Sequence, residues 1–181
     1  MSKKYLSKKK PSVDIIMPNY NKGLFLSEAI NSVIKQSYHN WKLFVIDDAS
    51  QDNSKIILKK YKKKYKKIKP IYLKKRKSAA FVRNLGIKLS KAHYIAFLDS
   101  DDYWAKNKLS NQINFMRKFN YNFTYTDYIP FFLKNNKKIF KKAVSPPNSY
   151  THNQFIYDTS IATSSMIIKK SIIGKIKFTN T

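Results

Sequence analysis

Ala92-His93-Tyr94-Ile95-Ala96-Phe97-Leu98-Asp99-Ser100-Asp101-Asp102-Tyr103-Trp104 sets a short apolar run directly against three carboxylates. The run from Tyr94 to Leu98 is brief and rich in strand formers, which predicts a buried strand rather than a helix. Its end projects Asp99 and Asp101 from the carboxyl edge of a sheet, where open α/β sheets bind their ligands. Crowded carboxylates repel one another unless a cation lies between them, and hard divalent ions take oxygen ligands of this kind. An Asp-X-Asp at a strand end therefore points to a Mg²⁺ or Mn²⁺ site with positions left open for a phosphate-bearing substrate. The same residues also suit a polar turn that caps the next helix, and spacing alone does not separate the two readings.

Upstream, the pattern repeats. Val13–Met17 reads as a strand that Pro18-Asn19-Tyr20-Asn21 ends, because proline keeps Met17 extended and cannot continue a central ladder. Leu26, Ala29, Ile30, Val33 and Ile34 recur at helical spacing and predict a helix over 24–36. Lys42–Asp47 is a second strand, a near-continuous apolar run suited to a parallel strand covered on both faces. Asp48–Ser54 follows as a loop, with Asp52 or Ser54 as the cap of the next helix. In that helix Ile57, Tyr61, Tyr65 and Ile68 form the apolar stripe, and lysines fill the remainder. Ile71–Leu73 is a third strand, and Ser78 opens a helix whose interior Gly86 implies close approach of a neighbour.

Four alternations of strand and helix argue for an α/β fold with a mostly parallel sheet flanked by helices. Right-handed crossovers then bring Pro18–Asn21, Asp47–Asp52 and Asp99–Asp102 to one sheet edge. Beyond Asp102, Leu109, Ile113, Met116 and Phe119 mark a helix. Phe123–Leu133 is aromatic and partly alternating, Asn135-Asn136 is a turn, and Ile139-Phe140 begins a return strand. A helix over 151–157 and a strand over Ser165–Ile168 are expected before the basic end.

Composition bounds the function. The 181 residues contain 43% hydrophobic and 15% aromatic side chains, enough for a folded domain despite a net charge of +27. No cysteine is present, which excludes disulfides and thiolate metal sites. No stretch approaches the ~18 apolar residues of a membrane span, so the expected location is cytoplasmic, with peripheral contact at the inner membrane face left open. Of the 37 basic residues only Arg76, Arg83 and Arg117 are arginines, a poor match to nucleic-acid recognition; a basic polyanion-binding module is the weaker alternative. Such a surface would also attract an anionic membrane. Six of the ten carboxylates fall in the clusters Asp47/Asp48/Asp52 and Asp99/Asp101/Asp102, and clusters that persist against a lysine bias point to a task.

Four segments in order resemble family 2 glycosyltransferases, the inverting transferases of the GT-A (Rossmann-like) fold. They are Val13–Asn21 with its Pro-X-Tyr-Asn turn, Val45–Ser54, the Ala79–Ile87 helix with Arg83-Asn84, and Tyr94–Trp104. A fainter fifth, Thr163–Ser171, resembles a strand on the acceptor side. Residues 1–12 read as a basic tail that Pro11 ends, and the resemblance implies a transferase domain over 13–181. Residues 13–120 would bind the nucleotide sugar, and 121–181 would form a partial acceptor half. It implies Asp101 on the metal, Asp99 near the metal and ribose, and Tyr20 and Asp48 on the base. Pro18 and Asn19 would present backbone groups, and Arg83 would face the nucleotide. The implied reaction moves a sugar from a nucleotide diphosphate, expected to be UDP, to a glycan or lipid-linked acceptor in cell-surface polysaccharide synthesis.

The acceptor half departs from the family pattern. Inverting transfer needs a general base, which in relatives is a carboxylate beyond the strand that 163–171 resembles. Here the only carboxylates after Asp102 are Asp127 and Asp158, neither in that context. The expectation is a C-terminally shortened, incomplete acceptor side with weak transfer, or a non-catalytic nucleotide-sugar-binding remnant.

Overall fold

A computed structural model describes residues 10–151, 153–154, 160–174 and 177–179. Its frame is a six-stranded sheet in the order β3-β2-β1-β4-β8-β5. The strands are β1 (Val13–Asn19), β2 (Trp41–Asp47), β3 (Ile68–Tyr72), β4 (Tyr94–Phe97), β5 (Phe123–Thr124) and β8 (Ile167–Lys169). Strands β1 to β4 run parallel, whereas β8 is antiparallel to both β4 and β5. The helices are α1 (Gly23–Ile34), α2 (Ser54–Lys64), α3 (Ala79–Leu89), α4 (Lys108–Phe119) and the short α5 (Lys170–Ile173). A separate hairpin joins β6 (Phe131–Lys134) to β7 (Lys137–Phe140), and Asn135 and Asn136 turn it with positive φ, the geometry a two-residue hairpin requires.

The strand pattern feeds two cores. Val13, Ile15, Met17, Leu43, Val45, Ala96 and Leu98 pack on one face with Leu26, Ile30, Leu58, Leu109 and Ile113. Ile16, Ile46, Ile95 and Phe97 pack on the other with Val82 and Ile173. The alternation follows from the two-residue period of a strand, and full burial of each large side chain contributes about 1.5–3 kcal/mol. Asp14 sits among these apolar residues yet is satisfied: its Oδ2 accepts from Ser90 Oγ (2.8 Å), Lys91 N (3.0 Å) and Ala92 N (3.1 Å). It thereby ties the end of α3 to the entry of β4.

Several boundaries differ from the sequence reading. The apolar stripe does not continue to Ile68 as helix: α2 ends at Lys64, Tyr65 is extended, and Ile68 opens β3. The buried anchor of α2 is Leu58, while Ile57, Tyr61 and Tyr65 are half-buried at its margin. β3 tolerates Pro70 because it is the edge strand of the sheet. Phe119 does not join the core; it is 48% exposed and packs with Phe115 and Tyr121. Ser165 belongs to a 3-10 turn, Thr163–Ser165, so the strand begins at Ile167. The helix expected over 151–157 lies mostly outside the described residues. At the other end, Asn40 Nδ2 donates to Lys10 O (2.6 Å), and Ser12 Oγ lies 3.0 Å from His93 Nδ1.

The close approach expected at Gly86 is the contact of α3 with β1. A Cβ there would stand 2.5 Å from Ile16 Cγ2 and within 2.9 Å of two further Ile16 carbons. Ile16 is fully buried and β-branched, so it cannot swing away. Gly86→Ala should therefore destabilise by roughly 1–3 kcal/mol through overpacking, less the ~1 kcal/mol that alanine returns in helix propensity. In a urea-denaturation cycle with Ile16→Ala, the double variant should lose less than the sum of the singles; strict additivity would refute the contact.

Candidate active site

The carboxyl ends of β1, β2 and β4 carry the three loops to one edge, and side chains lace them together. Asn19 Nδ2 donates to Asp47 Oδ1 (2.7 Å) and Ser50 Oγ (3.2 Å). Ser50 Oγ donates to Asp47 Oδ1 (2.6 Å), and the Asn21 amide donates to Ser50 Oγ (3.0 Å). The Asp48 amide donates to Asn19 O (2.8 Å), continuing the ladder past the strands. Asn21 and Ala49 hold positive φ, 50° and 61°, so the edge includes a conformation that alanine adopts only at a cost of about 1–2 kcal/mol.

Around this frame stand the residues expected from the sequence. Tyr20 is half-buried, and the Arg76 guanidinium covers its ring at 4.0 Å. Asp48 is 5% exposed, and its Oδ1 accepts from the Lys77 amide (2.8 Å), which ties the β3–α3 loop to the site. Pro18 and Asn19 lie at the end of β1 beside Ile46 and Asp47. Arg83 leaves α3 toward the edge and pairs through Nη2 with Asp99 Oδ1 at 2.6 Å, the side chains 15% and 33% exposed. Its Nε is buried without a partner among the described residues. Asp101 pairs with Lys22 Nζ at 2.7 Å, and both side chains are about 40% exposed, at 40% and 42%.

Asp102 turns inward. Ser164 Oγ donates to its Oδ2 and accepts from the Asp99 amide (3.0 Å), while Ser164 O accepts from Trp104 Nε1 (2.7 Å). Burial pushes the Asp102 carboxyl above its usual range; the Ser164 bond opposes this, and the charges of Asp99 and Asp101 reinforce it. Arg76, Lys22 and Ser164 escaped the sequence reading. The scarcity of arginine is the signal that could have found Arg76, and Ser164 lay within the fainter fifth segment.

A cavity of about 790 Å³ opens beside Asp101 and Asp102. Phe25, Tyr103, Trp104 and Phe131 line it, and so does Asp127, whose Oδ2 accepts from Ser145 Oγ (3.0 Å). Asp158 lies outside the described residues, so of the two base candidates only Asp127 is located. Among the described residues no group of three or more histidines and carboxylates forms a ready metal cage. Asp99 and Asp101 nevertheless offer hard oxygen donors two residues apart, and each already faces a cation, so the donor set fits a divalent ion that draws its other ligands from substrate and water.

The architecture is that of GT-A domains. The chain superposes on Staphylococcus aureus TarS 1–349 with a TM-score of 0.70 at 23% identity, covering 90% of this chain and 48% of that one. The TarS fragment has also been solved in complex with UDP and with UDP-GlcNAc. A mannosyltransferase from Pyrobaculum calidifontis, PcManGT, solved with GDP-Man and Mn²⁺, superposes with a TM-score of 0.61 at 18% identity, covering 66% of this chain and 36% of that one. The Glycosyl transferase family 2 model matches residues 14–176, and the chain belongs to that family of transferases. TuaG of Bacillus subtilis, a glycosyltransferase named for teichuronic acid biosynthesis, is 32% identical over 94% of this chain and 67% of its own length. WfgD of Escherichia coli, a UDP-Glc:alpha-D-GlcNAc-diphosphoundecaprenol beta-1,3-glucosyltransferase, is 37% identical over 92% of this chain and 63% of its own. The chain thus spans about two thirds of these relatives and about half of the TarS fragment.

Asp52 supplies a test of how the edge is held. Its Oδ2 accepts from the Gly23 amide (2.7 Å) and its Oδ1 from the Ser54 amide (3.0 Å), so one carboxylate caps both α1 and α2. Gly23 permits this, since a Cβ would stand 1.7 Å from Asn53 Oδ1. Burial works to raise the Asp52 carboxyl, but hydrogen bonds from Ser54 and Gly23 outweigh it and hold it below its usual range. Asp52→Ala should cost roughly 1–2 kcal/mol at neutral pH by loss of helix capping. A depressed carboxylate stabilises the fold above its unfolded-state pKa and loses that contribution as pH falls through the lowered native one. The stability gap between wild type and variant, measured by urea denaturation, should therefore narrow only in that acid window; a gap independent of pH would show that capping by the charged form is not its source.

Proposed function

We propose that this domain binds a nucleoside-diphosphate sugar, with UDP as the nucleotide, along the carboxyl edge of β1, β2 and β4. The convergence of the Pro18–Asn21, Asp47–Asp52 and Asp99–Asp102 loops on that edge carries the reading. Tyr20 would stack on the base, in the position over which Arg76 now lies, and Asp48 would accept from a base N–H. Pro18 and Asn19 would present the strand-end backbone, and Arg83 would steady Asp99 and meet the diphosphate. Asp101 and Asp99 would hold Mn²⁺ or Mg²⁺, which when bound supplies positive charge to the leaving diphosphate. The UDP complexes of TarS and the Mn²⁺ complex of PcManGT support this choice of ligands.

The reaction class is transfer of the sugar with inversion to a hydroxyl of a glycan or lipid-linked acceptor, in cell-surface polysaccharide synthesis. The names of TuaG and WfgD support that setting. The acceptor would enter the cavity beside Asp101 and Asp102, away from the Tyr20 end. On its wall Asp127 is the carboxylate available, among the described residues beyond Asp102, to take the acceptor proton.

Calorimetry with UDP decides the donor reading. Metal and nucleotide should bind cooperatively, because a cation held by two carboxylates needs substrate oxygens to complete its shell. Asp101→Ala should weaken UDP binding in Mn²⁺ by about tenfold or more, a 1.4 kcal/mol loss, and leave the metal-free affinity unchanged. Equal affinity of variant and wild type in Mn²⁺ rejects the assignment. If the chain transfers sugar, Asp127→Asn should lower the rate by roughly 10²–10⁴-fold should it act as base.

A further inference from the structure

The hairpin β6–β7 has two unlike faces. Cross-strand partners share a face, and so do residues two apart along a strand. Phe131 pairs with Phe140 and Leu133 with Lys138, and this inner face is anchored: the Phe131 ring contacts Tyr103 at 5.8 Å. Lys138 lies over the Tyr103 ring at 4.1 Å and forms an ion pair with Glu28 on α1. Phe132 pairs with Ile139 and Lys134 with Lys137, so those four make the outer face. Phe132 and Ile139 are 45% and 41% exposed, and Phe140 and Leu133 on the other face are 55% and 37% exposed, so the ribbon presents apolar surface to solvent, with Phe132 and Ile139 adjoining the tip lysines. Lys134 and Lys137 stand beyond it at the tip, and Lys141 reaches back over the Phe132 ring at 6.0 Å. Residues 128–145 contain five lysines and no carboxylate.

An apolar pair flanked by flexible cations, with Glu28 engaged by Lys138 and Asp127 by Ser145, matches a surface that is anionic at its boundary and apolar beneath. That is the chemistry of a lipid bilayer bearing acidic headgroups, on which lysines gain electrostatically while apolar side chains dip below the headgroups. A nucleic acid would use the lysines but give Phe132 and Ile139 no partner, since paired aromatic–aliphatic side chains on a ribbon are not a base-stacking platform. We infer that the outer face of the β6–β7 hairpin docks this domain on an anionic lipid surface. The same ribbon borders the cavity through Phe131, Phe132, Leu133 and Phe140. Docking would therefore set the cavity mouth at the membrane plane, where a lipid-linked acceptor presents its sugar; that last step rests on the transferase reading above, whereas the docking itself does not.

The experiment is co-sedimentation of the full chain with vesicles of phosphatidylcholine alone and of phosphatidylcholine mixed with phosphatidylglycerol. The wild type should bind the mixed vesicles and leave the neutral ones. Phe132→Ser/Ile139→Ser, which alters no charge and replaces side chains 45% and 41% exposed, should lower binding to mixed vesicles by about tenfold or more. Lys134→Glu/Lys137→Glu should do likewise, while Lys59→Glu/Lys63→Glu on α2, an equal change of charge, should have a much smaller effect. Circular dichroism of each variant checks that it is folded. Full retention of binding by the Phe132/Ile139 variant overturns the proposal, as does equal loss from the α2 variant, which would mean unspecific attraction by net charge. Binding of polyuridine by the wild type that Lys134→Glu/Lys137→Glu abolishes, with no binding to the mixed vesicles, would assign the lysines to nucleic acid and overturn the proposal. UDP binding by the wild type is measured in parallel: vesicle docking without it removes the donor reading and keeps the hairpin, and the reverse removes the hairpin alone.

Discussion

Asp99 and Asp101 leave the end of β4 on either side of Ser100, and each meets a cation from a different layer of the fold. Arg83 reaches Asp99 from α3 on one face of the sheet, and Lys22 reaches Asp101 from the turn that starts α1. The two pairs are not equivalent. Lys22 and Asp101 are both about two-fifths exposed, and an ion pair so wet is worth only ~0–1 kcal/mol, so its partner is readily exchanged. Arg83, at 15%, is less exposed than Lys22, so its partly buried pair with Asp99 is screened less by solvent. The edge therefore combines one carboxylate held by a partly buried arginine with one whose lysine partner is readily exchanged.

The strong positive charge of the chain and its acidic edge are complementary facts. A field of +27 draws anions toward the molecule from a distance, but it cannot orient them. Orientation comes from the short-range arrangement at the strand ends, where the Asn19–Asp47–Ser50 bonds fix the loop geometry and Asp52 fixes two helix starts. These bonds occupy carboxylates that would otherwise repel an anionic ligand. Asp47 and Asp52 are consumed in holding the loops, whereas Asp48, Asp99 and Asp101 keep oxygens at the edge that the frame does not use up. Clustering of acids in the sequence thus had two causes, architecture and chemistry, and residue type alone could not separate them.

The strands that form the ligand edge were legible because each needs two covered faces, and near-continuous apolar runs ending near Asp47 or Asp99 have few other readings; the end of β1 was misplaced, since it carries its pairing with β2 through Pro18 to Asn19. The convergence of the loops followed from crossover handedness rather than from any local signal. What the sequence concealed is tertiary. Ile68 fits the periodicity of α2 as well as it fits β3, and only pairing with Leu43 decides for the strand. Phe119 continues the stripe of α4 but overruns the sheet, so it packs with other exposed rings instead. Arg76, Lys22 and Ser164 act across long sequence separations, and nothing in their neighbours announces a partner. The amphipathic split of the hairpin was equally hidden, since its faces depend on the pairing register of β6 with β7.

Ser164 joins the two halves of the domain more tightly than their sequence separation suggests. It meets the Asp99 amide and the Asp102 carboxylate through its hydroxyl, and Trp104 through its carbonyl. Trp104 is buried, with Lys108 Nζ over its ring at 4.1 Å, and its indole lines the cavity. The backbone that positions Asp99 is consequently continuous, through one side chain, with the cavity wall. A displacement of that wall is transmitted to Asp99 by hydrogen bonds rather than by loose loop contacts. Because β8 follows Ser164 directly and pairs antiparallel with β4, the same turn also fixes the register of the sheet beside the carboxylates. The 3-10 geometry of Thr163–Ser165 is thus where the fold couples the carboxylate edge to the neighbouring cavity, and it explains why a turn stands where the apolar pattern alone suggested an earlier strand.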